Sequence, residues 1–156
     1  MKFLRAAVGA ALLVAFVDQT ASATTQNVVF NGTITATCTL VVATNGTMTV
    51  SPDLQSLSSH NSGGSAGLVT LTTTGGVSLS VDPVTLTTVP ATDTTATTWT
   101  PTYSASGAHT VSETGSTTAL STPGASVVSV NLAGTKGGSN RFAAGNYQAT
   151  VTLRCE

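Results

Sequence analysis

Two cysteines are the residues in this sequence most capable of covalent chemistry. Cys38 and Cys155 are the only ones, and neither has a histidine or a second cysteine nearby to make a metal site or an activated thiol. In an exported chain, an even cysteine count favours one intramolecular disulfide. We therefore predict a Cys38–Cys155 bridge that fastens the first strand to the last, and the alternative is a reactive or metal-binding thiol.

Other candidates for catalysis or ligand binding are sparse. His60 and His109 stand alone in polar stretches, which favours a surface position over metal ligation. Residues 63–67 match the Gly-x-Ser-x-Gly pattern of a nucleophile elbow, but that motif needs a helix after the turn, and here a strand-like run follows. Trp99 and Tyr103 are able to form a small ligand-stacking surface, although core packing is the commoner fate of such residues. We predict no enzyme activity, no cofactor and no metal.

The composition narrows the class of partner. Only 7% of the residues are charged, against about 25% in an average soluble protein, and 40% are hydrophobic. Five Lys and Arg and a net charge of −1 offer no basic surface for a nucleic-acid backbone. The high hydrophobic fraction argues for a folded chain and against disorder.

The first 23 residues have the pattern of a secretory signal peptide. Lys2 and Arg5 precede an apolar run over residues 6–17, and Ala21-Ser22-Ala23 supplies a small-residue cleavage site. The run is shorter than the roughly 20 residues of a membrane-spanning helix. We predict cleavage after Ala23 and an exported protein that is not inserted in a membrane, with a retained anchor as the alternative.

The remainder, residues 24–156, has the pattern of one all-β domain. Short alternating runs rich in Thr and Val are separated by Gly, Pro, Asn and Ser, as in a β-sandwich. Asn45-Gly46 lies between two such runs and predicts a hairpin. Pro101 lies in a run with Trp99 and Tyr103 and suggests an edge strand, because proline cannot donate to a ladder.

The first and last runs alternate most clearly. In the first, Val28, Phe30, Gly32 and Ile34 share one face. In the last, Tyr147, Ala149, Val151, Leu153 and Cys155 point one way and Gln148, Thr150, Thr152 and Arg154 the other. Strands with one apolar face need a partner that covers it.

These two ends resemble a known family. Val28 to Ile34, followed closely by Cys38, is similar to the N-terminal region of type 1-like pilins assembled by the chaperone–usher route. Residues 144–153 resemble their C-terminal strand, and also the ending of spore-coat-U-like secreted domains. The resemblance implies an immunoglobulin-like β-sandwich that lacks its final strand and so carries an open groove.

The resemblance also implies a function. The chain is expected to be a structural subunit of a surface fimbria, exported through the periplasm to the cell surface, with a role in cell adhesion. Its extension, residues 24–37, would donate a strand to an identical or related pilin subunit, and a periplasmic chaperone and an outer-membrane usher would be its other partners. The implied inserting residues are Val28, Phe30, Gly32 and Ile34, and the implied groove and chaperone contacts are Tyr147, Ala149, Val151, Leu153 and Glu156.

A second interpretation of the same residues remains open. The first and last runs also fit a closed, self-contained secreted or coat β-sandwich that does not polymerise. Type 1-like pilins usually bridge their first two strands, whereas the partner predicted for Cys38 is Cys155. Such a bridge either lies at the end of a groove and leaves it open, or holds the groove shut.

Overall fold

The computed structural model describes residues 21–156. Most of the predicted signal peptide, residues 1–20, lies outside this range. The chain divides into two units, of which the second, Thr33–Glu156, holds every strand described here. The described residues include no helix that is long and apolar enough to cross a membrane.

The strands are β1 (Cys38–Thr44), β2 (Thr49–Val50), β3 (Ser56–Ser58), β4 (Gly67–Thr73), β5 (Val77–Val81), β6 (Leu86–Thr88), β7 (Thr97–Gly107), β8 (Val111–Thr114), β9 (Thr118–Leu120), β10 (Gly124–Lys136), β11 (Gln148–Thr150) and β12 (Leu153–Cys155).

Seven antiparallel strands form the main sheet around the long strand β10. One side of β10 pairs first with β4 and then with β3, which in turn pairs with β2. The other side pairs along its length with β7, and β8 pairs with part of β7. Strand β1 pairs with β4 and forms one edge of this sheet.

Shorter strands form the second layer. Strand β5 lies between β9 and β12, and β6 pairs with β11. Because β11 and β12 are separated by only two residues, the C-terminal segment (residues 145–156) runs past β6 and then β5. The main chain between them continues this pairing, since the Asp82 N–H donates to the Thr152 carbonyl at 2.9 Å.

The two layers share one apolar core. Leu71 and Val128 come from the main sheet, Leu79 and Leu120 from the second layer, and all four are almost wholly buried. Tyr103 fills the centre, and its hydroxyl donates to the Leu79 carbonyl at 2.8 Å, which satisfies its polar end within the core. The predicted all-β sandwich is therefore confirmed.

One local prediction is wrong. The runs on either side of Asn45-Gly46 do not pair with each other: Thr44 pairs with Leu68, and Thr47 exchanges hydrogen bonds with Ser65. The chain thus continues beside the strand that β1 already pairs with, instead of reversing. The alternating run at the N-terminus forms no strand before Cys38 within the described residues.

Candidate functional site

The edge strand β1 and the C-terminal segment border an elongated cleft of about 690 Å³. Its walls are apolar and polar in nearly equal measure, and every predicted groove residue except Glu156 contributes to them. The main apolar lining residues are Leu40, Val42, Met48, Leu57, Val69, Val130 and Leu132 from the main-sheet side, and Tyr147, Ala149, Val151 and Leu153 from the C-terminal segment.

The C-terminal segment contributes its apolar side chains to this cleft, together with the polar residues Asn146, Gln148 and Thr150. Tyr147, Ala149, Val151 and Leu153 are half-buried, while the residues between them are exposed. Among the described strands, β11 pairs only with β6 and β12 only with β5, so the other edge of this segment has no ladder partner. Unpaired strand edges next to apolar surface are the usual site for adding a strand.

Strand β1 supplies the opposite border. It pairs with β4 alone among the described strands. Leu40 is half-buried and packs against the core, whereas Val41 and Val42 remain 57% and 65% exposed. Val42 lines the cleft, which makes its exposure part of the same apolar surface. The sequence prediction omitted β1 from the site, because Leu40 to Thr44 was assigned to the hairpin that does not form.

The predicted disulfide is present and closes one end of the cleft. Cys38 begins β1 and Cys155 ends β12, and their Cα atoms are 6.1 Å apart. A strand inserted between two others needs them about 9.6 Å apart, twice the interstrand spacing. No strand can therefore pass between the two cysteines. The bridge nevertheless leaves the cleft open beyond Leu40 and Leu153. Of the two arrangements considered from the sequence, this is the one in which the bridge lies at the end of an open groove.

A buried ion pair fixes the other end of the C-terminal segment. The Lys136 ammonium donates to Asp93 Oδ1 at 2.7 Å, and both side chains are at most 1% exposed. The Tyr147 hydroxyl donates to Asp93 Oδ2 at 2.6 Å. Phe142 packs edge-on against Tyr147 and lies 4.9 Å from the ammonium. This cluster holds Tyr147 at the mouth of the cleft.

The electrostatics of the cluster follow from these contacts. Hydrogen bonds from Lys136, then from Tyr147, hold the pKa of Asp93 well below its ordinary value, so the carboxylate stays ionised. Burial and the hydrogen bond to Asp93 raise the pKa of Tyr147 to about 12. Sequence reasoning missed this pair, because Gly-Thr-Lys-Gly-Gly around Lys136 has the composition of a turn.

The predicted inserting residues lie outside any strand and are exposed. The exposed fractions are 74% for Val28, 91% for Phe30 and 85% for Ile34, and apart from its two chain neighbours nothing lies within 4 Å of the Cβ position of Gly32. Phe30 is a large apolar side chain, and leaving it in water forgoes a burial free energy of about 1.5–3 kcal/mol.

Residues 35–37 show how the chain enters β1. The Thr37 N–H donates to Thr74 Oγ1 at 2.8 Å, and the Thr74 N–H donates to the Thr37 carbonyl at 3.1 Å. This extends the pairing of Cys38 with Thr73 by one residue, beyond the bridge and on the side away from the cleft. Thr74 Oγ1 also donates to the Thr35 carbonyl at 3.2 Å.

The remaining sequence candidates are placed in structural roles. His109 is 7% exposed and hydrogen-bonds with Ser126 and the Thr122 carbonyl, so its predicted surface position is wrong. His60 lies at the surface as predicted, 2.8 Å from Glu113. Tyr103 is fully buried and cannot form a ligand surface with Trp99.

Residues 63–67 lead into β4 and not into a helix, as the sequence predicted. Glu156 is exposed, and its main chain exchanges hydrogen bonds with Ser78. Within residues 21–156, no group of three or more His, Cys, Asp or Glu residues is arranged to hold a metal ion. No family model, curated protein or solved structure matches this chain.

Proposed function

We propose that this chain is a structural subunit of a surface fibre, and that residues 28–34 of one copy occupy the cleft of the next. The observation that carries this proposal is the cleft itself, which has apolar side chains along both borders and lies between two strand edges that have no ladder partner on that side among the described strands. In this proposal the fold is an immunoglobulin-like sandwich that lacks one strand, and a second copy supplies it.

The lengths of donor and acceptor agree. The lining stretch from Tyr147 to Leu153 and the donor stretch from Val28 to Ile34 each contain seven residues, or about 20 Å of extended chain. Both alternate with apolar residues at every second position. Burying Val28, Phe30 and Ile34 would contribute about 5–9 kcal/mol before ladder hydrogen bonds and ordering costs.

The disulfide determines the direction of insertion. The folded body of the donor follows Ile34, so the Ile34 end must lie where the chain is able to leave the cleft. The Cys38–Cys155 bridge blocks the other end. The donor strand is then antiparallel to the C-terminal segment, with Val28 opposite Leu153, Phe30 opposite Val151, Gly32 opposite Ala149 and Ile34 opposite Tyr147.

Insertion into a second copy is favoured over insertion into the same copy. Residues 35–37 continue β1 past the bridge, away from the cleft. Self-insertion would require this stretch to reverse and to give up the hydrogen bonds between Thr37 and Thr74. A chaperone that holds the cleft before assembly, and an usher that orders the exchange, are the partners this proposal requires in transit to the cell surface.

A peptide experiment tests the proposal. A peptide of residues 24–34 is added to a chain that begins at Thr33, and binding and the urea midpoint are measured. We expect saturable binding and stabilisation. A Phe30→Ala peptide should bind about tenfold to a hundredfold more weakly, since a cleft contact is lost. A Val29→Ala peptide is the matched control, because Val29 lies on the opposite face, and it should bind within about twofold.

The same experiment separates the two interpretations. If the chain is a self-contained secreted or coat protein, we expect a stable monomer to which none of the peptides binds. Equal loss from the Phe30 and Val29 substitutions would also contradict the proposal, because it would mean that binding does not depend on one face of the strand.

A further inference from the structure

The chain contains two Asn-Gly sequences, and they lie in contrasting surroundings. Asn31-Gly32 is in the exposed extension, outside any strand. Asn45-Gly46 lies between Thr44, which pairs with Leu68, and the bridge of Thr47 to Ser65. A Cβ placed on Gly46 would lie 2.9 Å from the Gly67 nitrogen, whereas one on Gly32 would meet nothing within 4 Å.

Asn-Gly is the sequence in which asparagine is chemically least stable, because glycine places no side chain in the way of its own main-chain nitrogen. The reaction needs that nitrogen to swing onto the asparagine side chain. A main chain held on both sides by neighbouring strands resists this motion until it opens locally, and an unpaired exposed segment does not.

We infer that Asn31 is a self-modification site, and that its conversion to isoaspartate ends the ability of an unassembled copy to donate its strand. This inference rests on the proposed function, since it concerns the same segment, residues 28–34. A copy that stays unassembled would then gradually lose its ability to join a fibre.

The chemistry balances with water as the only co-reactant. The Gly32 main-chain nitrogen attacks Asn31 Cγ, a new C–N bond forms, and the bond from Cγ to Nδ2 breaks. Ammonia leaves with the proton of the Gly32 amide, and a five-membered succinimide remains. Water then opens the ring. Cleavage of the new C–N bond at Cγ gives aspartate, and cleavage of the bond to the original main-chain carbonyl gives isoaspartate, whose main chain runs through the former side chain.

The two products have different consequences for insertion. Asn31 lies on the face opposite Phe30 and Gly32 in strand alternation, so in the proposed complex it points away from the cleft. An aspartate there places its charge in solvent. Isoaspartate adds one carbon to the main chain, and Phe30 and Ile34 can then no longer both keep the spacing that directs them to one face.

Ageing of the full chain tests the chemistry. The full chain is incubated dilute in mildly alkaline buffer, and deamidation at each asparagine is followed by peptide mapping, with an isoaspartyl methyltransferase to label isoaspartate. We expect Asn31 to react about tenfold or more faster than Asn45, because Asn45 must first open locally. Equal rates at the two sites would overturn the inference. In assembled material Asn31 should be protected, because its main chain then belongs to a ladder.

Synthetic peptides test the consequence. Three peptides of residues 24–34, carrying asparagine, aspartate or isoaspartate at position 31, are titrated into the full chain. The asparagine and aspartate peptides should bind within a few-fold of each other, and the isoaspartate peptide should lose about tenfold or more, since at least one apolar contact is misplaced. Equal binding by all three would overturn the inference while leaving the proposed function intact. Failure of the unmodified peptide to bind would contradict the proposed function instead, whatever the ageing rates show.

Discussion

At the scale of single residues, Asp93 and Lys136 are the pair whose loss we expect to matter most. Both side chains are buried, and Tyr147 shares the carboxylate. We predict that Lys136→Met lowers the free energy of unfolding by about 3–5 kcal/mol, because a buried carboxylate loses its counter-charge. The double variant Asp93→Asn with Lys136→Met should recover a large part of that loss. Urea denaturation of the single and the double variant measures the two losses in free energy of unfolding. Equal losses would contradict the prediction.

The lowered pKa of Asp93 leads us to predict that the stability of the fold depends on pH. In the fold its pKa lies well below the ordinary value of 3.8, so the unfolded chain takes up a proton first as the pH falls. Its contribution to stability is complete above about pH 4 to 5 and is lost as the pH drops through the folded pKa. We expect the urea midpoint to fall as the pH drops through this range, and we call this part of the pH profile the acid limb.

Two variants assign the acid limb to its source. The double variant Asp93→Asn with Lys136→Met should flatten it, because the group that titrates is gone. Asp82→Asn removes a carboxylate that pairs with Arg154 at the surface, where solvent screens the interaction, and should leave most of the limb in place. A limb that Asp82→Asn abolishes and the double variant leaves unchanged would contradict the assignment.

The sequence predicted residues whose role follows from type and count, and missed those whose role depends on packing. The pairing of Cys38 with Cys155 followed from there being two cysteines. The burial of His109 did not follow from its polar neighbours, because Ser126 and the Thr122 carbonyl meet it from other parts of the chain. Lys136 was missed for the same reason: Asp93 is distant in sequence.

At the scale of strands, the disulfide joins β1 to β12 across a sequence separation of 117 residues. We predict that the variant Cys38→Ala with Cys155→Ala loses about 3–5 kcal/mol of stability, since the unfolded chain regains the freedom that so long a loop had removed. Urea denaturation with and without reductant measures this. Reductant should destabilise the natural chain and leave the variant unchanged, and sensitivity of the variant would contradict the prediction.

Periodicity predicted the strands but not all of their partners. Alternation located the apolar face of the C-terminal segment, because a strand with one buried face must alternate. The Asn45-Gly46 hairpin failed because a turn sequence competes with tertiary pairing. Here residues 65–68 pair with both sides of the turn, and this long-range pairing prevails over the local preference.

At the scale of the whole molecule, the cleft is a product of long-range assembly. Its two borders come from opposite ends of the folded unit, and its floor residues Leu57, Val69 and Leu132 come from three different strands. Sequence alternation identified one border, the C-terminal segment, but contained no information on which edge would face it. In the proposed function each copy carries one donor, residues 28–34, and one acceptor, the cleft, so assembly should be directional.

Directional assembly leads to a prediction for two defective copies. Deleting residues 24–34 removes the donor and leaves the cleft. Ala149→Trp fills the cleft where Gly32 is proposed to lie and leaves the donor. Neither variant alone should form a fibre. Mixed, they should form a one-to-one heterodimer and nothing larger, because one only accepts and the other only donates, and native mass spectrometry or light scattering gives the stoichiometry. Thr152→Trp, at an exposed position of the same C-terminal segment that does not line the cleft, is the matched control and should polymerise as the natural chain does. Fibres from the mixture, or fibres from Ala149→Trp alone, would contradict assembly through this cleft.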